Sequence, residues 1–477
     1  MSAGAQDSML DEALLQSVRM PAAASREGAR RHGKRHRAND ALALALFLIV
    51  AVAPIPFGSA RPFFWASTAV FVAGTGALYF LVTLGREITF RPAPLASVAL
   101  FALLCAYLGL QMVALAPLAG LAPVITRAGA VIATHAISID AGATWLMLLR
   151  FLTYGLVALL FWQVAASRER TKMLLEAFFF LIAVYALYGL VALTELGDTI
   201  LIMPKWAYLG AATGTFVNRN SFATFLAFGA VTGTGLVMHD IWTLIESRER
   251  GSRKALTASL VPHLVGISVI FVSLLATQSR MGLFAGAAGG FVVLLLGLSK
   301  LPRQRTLMVG TSLAALAAGA VFFFLYGGGL TERLGSLQDS IDVRWNFYRQ
   351  IWQMILARPL LGYGGGTFEE AYPLYHALPV SPDLVWEKAH NSYLALWSEL
   401  GFIAGSIPLL LLAFAAWRAL RNWYREVADW APAIIAIGVA VTGAVHSLVD
   451  FSLEIEGVTL MFLALLCLGS GISPRAR

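Results

Sequence analysis

Glu387-Lys388-Ala389-His390-Asn391-Ser392-Tyr393-Leu394 is the seam at which this chain changes character. Ahead of it lies a stretch from Gly327 onward that is rich in Arg, Asp, Glu, Tyr, Trp and His. Behind it an apolar run of membrane length begins at once, so the histidine stands where a polar segment meets the start of an apolar helix. The polar stretch reads as the working part, and the rest of the chain as the frame that holds it at a membrane face.

Outward from the seam, almost everything is apolar. With 58% hydrophobic and 13% charged residues, a soluble domain is excluded. Runs long enough to cross a bilayer fall at about 40–57, 63–84, 94–116, 144–166, 173–194, 220–239, 256–277, 281–298, 306–326, 391–417, 430–449 and 457–472. The fold expected is therefore an all-α polytopic membrane protein of about 12 transmembrane helices, with a large loop between helices 9 and 10. Its segments are a disordered basic tail over 1–39, helices 1–9 over 40–326, the loop over 327–390, and helices 10–12 with a short tail over 391–477. The tail carries Arg30, Arg31, Lys34, Arg35 and Arg37, and its length ahead of the first apolar run argues against a cleaved signal peptide. Cys105 and Cys467 both sit in apolar runs and read as small buried hydrophobes.

Placing the basic tail inside puts both termini in the cytoplasm. Of the 35 Lys and Arg residues, 24 then fall inside, Arg150 falls within the fourth span and ten fall outside. The bias follows the positive-inside rule, so the net charge of +8 marks orientation and membrane lipids as neighbours, with no nucleic acid partner. The outside cations are Arg61, Arg127, Arg219, Arg280, Arg333, Arg344, Arg349, Arg358, Lys205 and Lys388. Arginine predominates where phosphate or carboxylate is gripped by two parallel hydrogen bonds. Arg219 and Arg280 open apolar runs, at the depth where a lipid-linked phosphate sits. Arg150, inside a span, is a functional candidate because a charge there is expensive. The plain reading of any single outer arginine is an interfacial anchor; several on one face favour anion binding.

Three ordered stretches resemble the O-antigen ligase and polymerase superfamily of bacterial envelope glycosyltransferases. They are Gly214-Thr215-Phe216-Val217-Asn218-Arg219-Asn220-Ser221, then Thr277-Gln278-Ser279-Arg280-Met281-Gly282, and then Arg344-Trp345-Asn346-Phe347-Tyr348 through Gly362-Tyr363-Gly364-Gly365-Gly366 to Ala389-His390-Asn391-Ser392, closing on Glu399-Leu400-Gly401. The resemblance covers about residues 210–405. It implies a chain of the bacterial inner membrane with its active site and large loop in the periplasm. It also implies transfer of a glycan from an undecaprenyl-pyrophosphate carrier to a hydroxyl of lipid A-core or of a glycan chain. It marks His390 as the essential histidine and Arg344, Arg219 and Arg280 as donor-site arginines, and it implies no metal and no other cofactor.

The chemistry fits those residue types. A pyrophosphate leaving group gathers negative charge that fixed guanidinium groups stabilise. An acceptor hydroxyl needs a base, and a histidine suits that near neutral pH. The catalytic candidates are thus His390 and Arg344, and the pyrophosphate-binding candidates Arg219, Arg280, Arg150 and Arg349. Asn218, Asn220, Asn391 and His446 are expected in support, with Asn391 or Ser392 capping the helix after His390 and exposed amides there favouring an anion. His446 with Asp450 forms a rival pair. The glycines at 362, 364, 365 and 366 read as a flexible turn rather than a phosphate cradle, since no Gly-Lys-Ser/Thr follows. Glu454 and Glu456 would suit a metal only with a second acidic cluster, which is lacking. Ligase, polymerase and protein O-glycosylating versions share these motifs. A transporter or flippase and an envelope scaffold are the rival classes, against which the one-sided charge and the absence of an obvious inverted repeat argue.

Overall fold

The computed structural model describes residues 21–84, 90–114, 123–132, 134–246, 250–300, 310, 332–426 and 429–472. The expected ninth span, 306–326, lies outside the described residues apart from position 310. The first helix is α1 (Pro21–Val52), which begins well ahead of the expected first span and takes in part of the basic segment read as disordered. Then come α2 (Pro62–Leu84), α3 (Leu95–Met112), α4 (Ala141–Val164), α5 (Arg168–Thr194), α6 (Arg219–Glu246), α7 (Arg250–Ala276) and α8 (Arg280–Leu298). After them follow α9 (Glu332–Ala357), the short α10 (Phe368–Ala371), α11 (Ser392–Arg425), α12 (Ala431–His446) and α13 (Glu456–Ser470). Among the described residues, 8 helices are long and apolar enough to cross a membrane: α2 to α8 and α11. The chain is thus a multi-pass, mostly helical membrane protein. α12 and α13 are apolar but shorter. Residues 447–455 fold into a compact turn with a 3-10 helix at Ser452–Glu454, so α12 ends at His446, short of the expected 430–449, while α13 starts beside the expected 457 and ends at Ser470.

Helix α6 is the axis of the bundle: 78% of its most apolar window is buried, against 17–44% for the other spanning helices. A helix apolar all round belongs in the interior. Small residues let its neighbours close in, with Gly229 meeting Ile182 of α5, Gly233 meeting Phe179, and Gly235 meeting Ile435 of α12. In the same way Gly289 of α8 sits against Thr442 and the Gly438 carbonyl of α12. Two small antiparallel hairpins lie outside the bundle. In one, β1 (Val124–Ile125) pairs with β2 (Val131–Ile132), Val124 facing Ile132; in the other, β3 (Thr199–Ile200) pairs with β4 (Met203–Pro204).

The stretch expected as a loop is an ordered lobe. Phe347, Ile351 and Ile355 of α9 bury one stripe against Phe368, Tyr372, Val380, Ala389 and Ala395. A second cluster joins Met354, Tyr363, Ala371 and Tyr375 to Val124 of the first hairpin.

Helix α11 is broken where the lobe meets the bundle. Gly401 has φ 73° and ψ 170°, a conformation open to glycine almost alone. The break separates the piece 392–400, whose Ala395 joins the lobe cluster and whose Leu400 packs with Leu104 and Leu108 of α3, from the long apolar piece that runs on from Phe402. The freed backbone groups are recovered by the segment after α9. Phe402 N–H donates to the Pro359 carbonyl (2.7 Å), Tyr363 N–H to that of Ser398 (3.0 Å) and Gly364 N–H to that of Glu399 (2.9 Å). Buried Gln111 of α3 clamps the joint, donating to the carbonyls of Leu361 (3.0 Å) and Glu399 (3.1 Å) and accepting from Gly365 N–H (3.1 Å). A side chain on Gly362 would collide with the Glu399 carbonyl. The glycine run, expected to be a flexible turn, is a tightly packed joint.

Candidate active site

Four segments meet at the lobe face of the bundle: the starts of α6, α8 and α11, and the turn between α12 and α13. Each helix start is capped by its own side chains. Asn218 Oδ1 accepts from Asn220 N–H (2.7 Å), Ser279 Oγ from Gly282 N–H (3.2 Å), and Asn391 Oδ1 from Tyr393 and Leu394 N–H (3.0 Å each). Asn391 is thus the cap of α11, with Ser392 its first residue. The expectation of free amides beside His390 for an anion is not met, because the Asn391 side chain takes them.

The segments are stitched together by side chains. Ser279 Oγ donates to Asn220 Oδ1 (2.9 Å), and Asn220 Nδ2 reaches Asp450 Oδ1 at 3.5 Å. Ser392 N–H donates to the Ser447 carbonyl (3.0 Å), its hydroxyl to the Asp450 carbonyl (3.3 Å), and Asn391 Nδ2 to the Leu448 carbonyl (2.8 Å). Asp450, 2% exposed, is the hub: Ser452 Oγ donates to its carboxylate, and His446 Nδ1 lies 3.6 Å from Oδ2 while meeting Thr224 Oγ1 at 3.1 Å. His446 is fully buried, so it acts as a brace for Asp450 rather than an open base.

His390 precedes the cap in a left-handed backbone conformation, φ 50°. Its carbonyl accepts from Tyr348 Oη of α9 (2.7 Å), which ties it to the lobe. Its ring packs edge-on against Phe451 (5.0 Å between centroids) and Trp386 (6.3 Å). Burial pulls its pKa below the ordinary value; Asp450 pushes it up, Arg344 down and Glu454 up. The net is a half-buried imidazole that is neutral at neutral pH, as a base must be. Burial pushes the Tyr348 phenol up to about 12, so it stays a donor.

The same electrostatics locate the arginines. The Tyr208 phenol is raised by burial and feels Asp450, Arg219 and Arg344 together, while Tyr348 feels Arg344 and Asp450. Arg219 lies over the Tyr208 ring at 5.5 Å, and its buried Nε has no hydrogen-bond partner. Arg344 is exposed, one turn before Tyr348 on α9. Arg280 is the half-buried first residue of α8, directly after the Ser279 that holds Asn220. His390, Arg344, Arg219 and Asp450 are thus brought together, with Arg280 at the adjoining helix start.

Other sequence candidates stand elsewhere. At about 100° per residue, Arg349 sits about 140° round α9 from Arg344, and it is exposed. Arg150 is occupied within the protein: it donates to Tyr154 Oη (3.2 Å) and to the Glu454 carbonyl, and lies 5.5 Å over the Trp65 ring. Arg358 is buried, donating to the Ile137 carbonyl (3.2 Å). The Glu454 and Glu456 carboxylates are engaged by Lys388 (3.2 Å) and Tyr154 Oη (2.9 Å). Among the described residues no group of three or more His, Cys, Asp or Glu side chains is arranged to hold a metal ion. Sequence reasoning met Asp450 only as a companion of His446 and did not single out Tyr348 or Tyr208. The available signal was Asp450's place between two apolar runs on the arginine-rich face.

Residues 264–409 match the family model described as O-antigen ligase, which supports the O-antigen ligase and polymerase superfamily for this chain. That stretch includes Arg280, Arg344 and His390. No curated protein matches the chain.

Proposed function

We propose, with the O-antigen ligase match as premise, that this chain is a membrane glycosyltransferase taking its glycan from an undecaprenyl-pyrophosphate carrier. The observation that supports this reading is the grouping of the half-buried His390 with Asp450, Arg219 and Arg344 at the lobe end of the bundle. His390 takes the proton of the acceptor hydroxyl as its oxygen bonds to the anomeric carbon. The bond from that carbon to the pyrophosphate oxygen breaks, and its electron pair leaves with the carrier. Arg344, Arg219 and Arg280 stabilise the charge gathered on the departing phosphate. Attack in line with departure inverts the anomeric carbon. The acceptor is lipid A-core in a ligase and a second carrier-bound glycan in a polymerase. On this reading the chain lies in the bacterial cytoplasmic membrane; the distribution of Lys and Arg supports termini inside and the lobe in the periplasm.

The test is a strain whose only copy carries His390→Ala at normal membrane abundance, with glycans sized on the carrier and on the outer-surface acceptor. Long chains stranded on the carrier identify a ligase, and single repeats on the carrier with short caps on the acceptor identify a polymerase. Glycan missing from protein alone identifies a protein-glycosylating relative. An unchanged profile removes His390 from the reaction and the proposal with it.

A further inference from the structure

Helix α9 buries one stripe in the lobe, and a second apolar edge runs along it about 120° round from that stripe. Trp345 is 69% exposed, Trp352 42% and Leu356 55%. Taking about 100° per residue, these three fall within about 40° of one another, as one narrow edge along the helix. On one side of that edge lie Arg349 and Gln353, about 40° and about 80° from its centre; both are exposed. On the other side, about 60° and about 100° away, lie Tyr348 and Arg344, which face the candidate site.

An exposed apolar edge beside a polar one fits neither a solvated helix nor a buried one. Its surroundings identify its neighbour. Trp352 packs on Phe402 (5.7 Å between centroids), the first residue of the long apolar piece of α11. Ile403 (69%) and Leu410 (54%) of that helix, which is long and apolar enough to cross a membrane, are exposed as well. The edge therefore adjoins the exposed apolar side of that helix, at the level where its long apolar piece begins. Two tryptophans and an arginine at this level are the residue types that settle between acyl chains and headgroups.

We propose that α9 lies along the membrane surface, with Trp345, Trp352 and Leu356 seated at the headgroup–acyl boundary of the adjoining phospholipid leaflet and Arg349 at the phosphate level. The helix does not span; it floats the lobe at fixed depth, and Arg344, one quarter-turn away, is held beside the lipid phosphates. Arg349, read from sequence as a donor-binding residue, becomes a lipid anchor. The inference stands apart from the proposed chemistry, because it concerns depth and not turnover.

The experiment uses the full chain with Cys105 and Cys467 replaced by alanine, in vesicles of phosphatidylcholine and phosphatidylglycerol. Single cysteines replace Trp345, Leu356, Gln353 or Glu369 and carry an environment-sensitive nitrobenzoxadiazole label. At positions 345 and 356, phosphatidylcholine bearing a nitroxide high on its acyl chain should remove most of the emission, and aqueous iodide little. At 353 and 369 the order should reverse. Intrinsic fluorescence gives a label-free check: brominated lipid should quench the intact protein more than Trp345→Phe, by the share Trp345 contributes. Iodide quenching alone at 345 and 356 would put the edge in water and overturn the proposal. Shielding from both quenchers would put protein on it, a second copy or another chain, and overturn it equally. His390→Ala in the same background should keep the lipid pattern, so loss of the transferase reading leaves this one standing.

Discussion

Replacing Gly401 by alanine tests the joint between lobe and bundle. At φ 73° and ψ 170°, an L-residue is strained by about 1–3 kcal/mol before any contact is counted. The new methyl also collides with the Leu360 and Pro359 carbonyls, which are backbone atoms held by the joint. If the collision breaks one or two of the joint's hydrogen bonds, each worth about 1 kcal/mol, the total is about 2–5 kcal/mol. Gly290→Ala in α8 is the control. That residue is helical with open space around its α-carbon, so alanine should be neutral or stabilise by up to about 1 kcal/mol. Both variants would be purified in detergent and followed by thermal unfolding, with hydrogen exchange at 359–364 and 398–402 as the local readout. Gly401→Ala should unfold earlier and exchange faster in both segments. Because the piece 392–400 carries His390 at its base, turnover should fall while donor affinity changes less. If Gly401→Ala matches Gly290→Ala in stability and exchange, the backbone break is not the constraint described here.

Three further outcomes follow from the site. Activity should need neutral His390, so the rate falls on the acid side as pH drops through its lowered pKa and levels off above it. Asp450→Asn removes a charge that raises that pKa and should move the acid limb to lower pH; Arg344→Gln removes one that lowers it and should move the limb the other way. Identical limbs in both variants would exclude His390 as the titrating base. Tyr348→Phe removes the hydroxyl bound to the His390 carbonyl; it should cost about 0.5–1.5 kcal/mol of stability and lower kcat more than it raises KM, and a change in KM alone would count against positioning. Arg219→Ala should keep its thermal stability and lose turnover, whereas Arg150→Met, which forfeits charged hydrogen bonds worth about 1.5–3 kcal/mol each, should lose stability while the folded fraction keeps its turnover per molecule. The reverse pattern would exchange their roles.

The spanning helices were legible because bilayer thickness imposes a run length that survives any detail of packing. The break in α11 was not, since a glycine in an apolar run usually marks close packing and its partner, Gly362, is remote in sequence. Only the hydrogen bonds across 359–364 and 398–402 give Gly401 its meaning. Arg219, Arg280, Arg344 and His390 were legible as candidates because each stands in a polar stretch beside an apolar run, and the structure brings them to the same end of the bundle. Arg349 was grouped with Arg344 by charge and proximity without regard to helical phase: five residues on, it points about 140° round the helix from Arg344. Arg150 was read as a functional candidate inside a span, whereas Tyr154 Oη, one turn on in the same helix, and the remote Glu454 carbonyl both accept hydrogen bonds from it. Asp450 was met only as a companion of His446, because three acids share the short connection 450–456 and sequence alone does not say which of them the starts of α6 and α11 are folded onto.

That folding also bears on why arginine carries the anion binding proposed here. Helix starts attract anions through their dipoles and their free leading amides. Three of them converge at this site, yet Asn218, Ser279 and Asn391 each take leading amides for themselves. The dipoles remain, but those donors are spent on fixing the helix starts and, through Asn220 and Ser279, on fixing them to one another. A phosphate arriving there must find its hydrogen bonds in side chains that still have them to give. Arg219, with a buried Nε lacking any partner, and Arg344, exposed at the rim, are such groups. Asp450 acts on the same Tyr208 as these two arginines, and it couples to His390. Loss of the Asn220 side-chain links to Ser279 and Asp450, by Asn220→Ala, should therefore weaken binding of the carrier pyrophosphate. A shifted His390 acid limb with unchanged binding would mean that Asp450 serves the base alone.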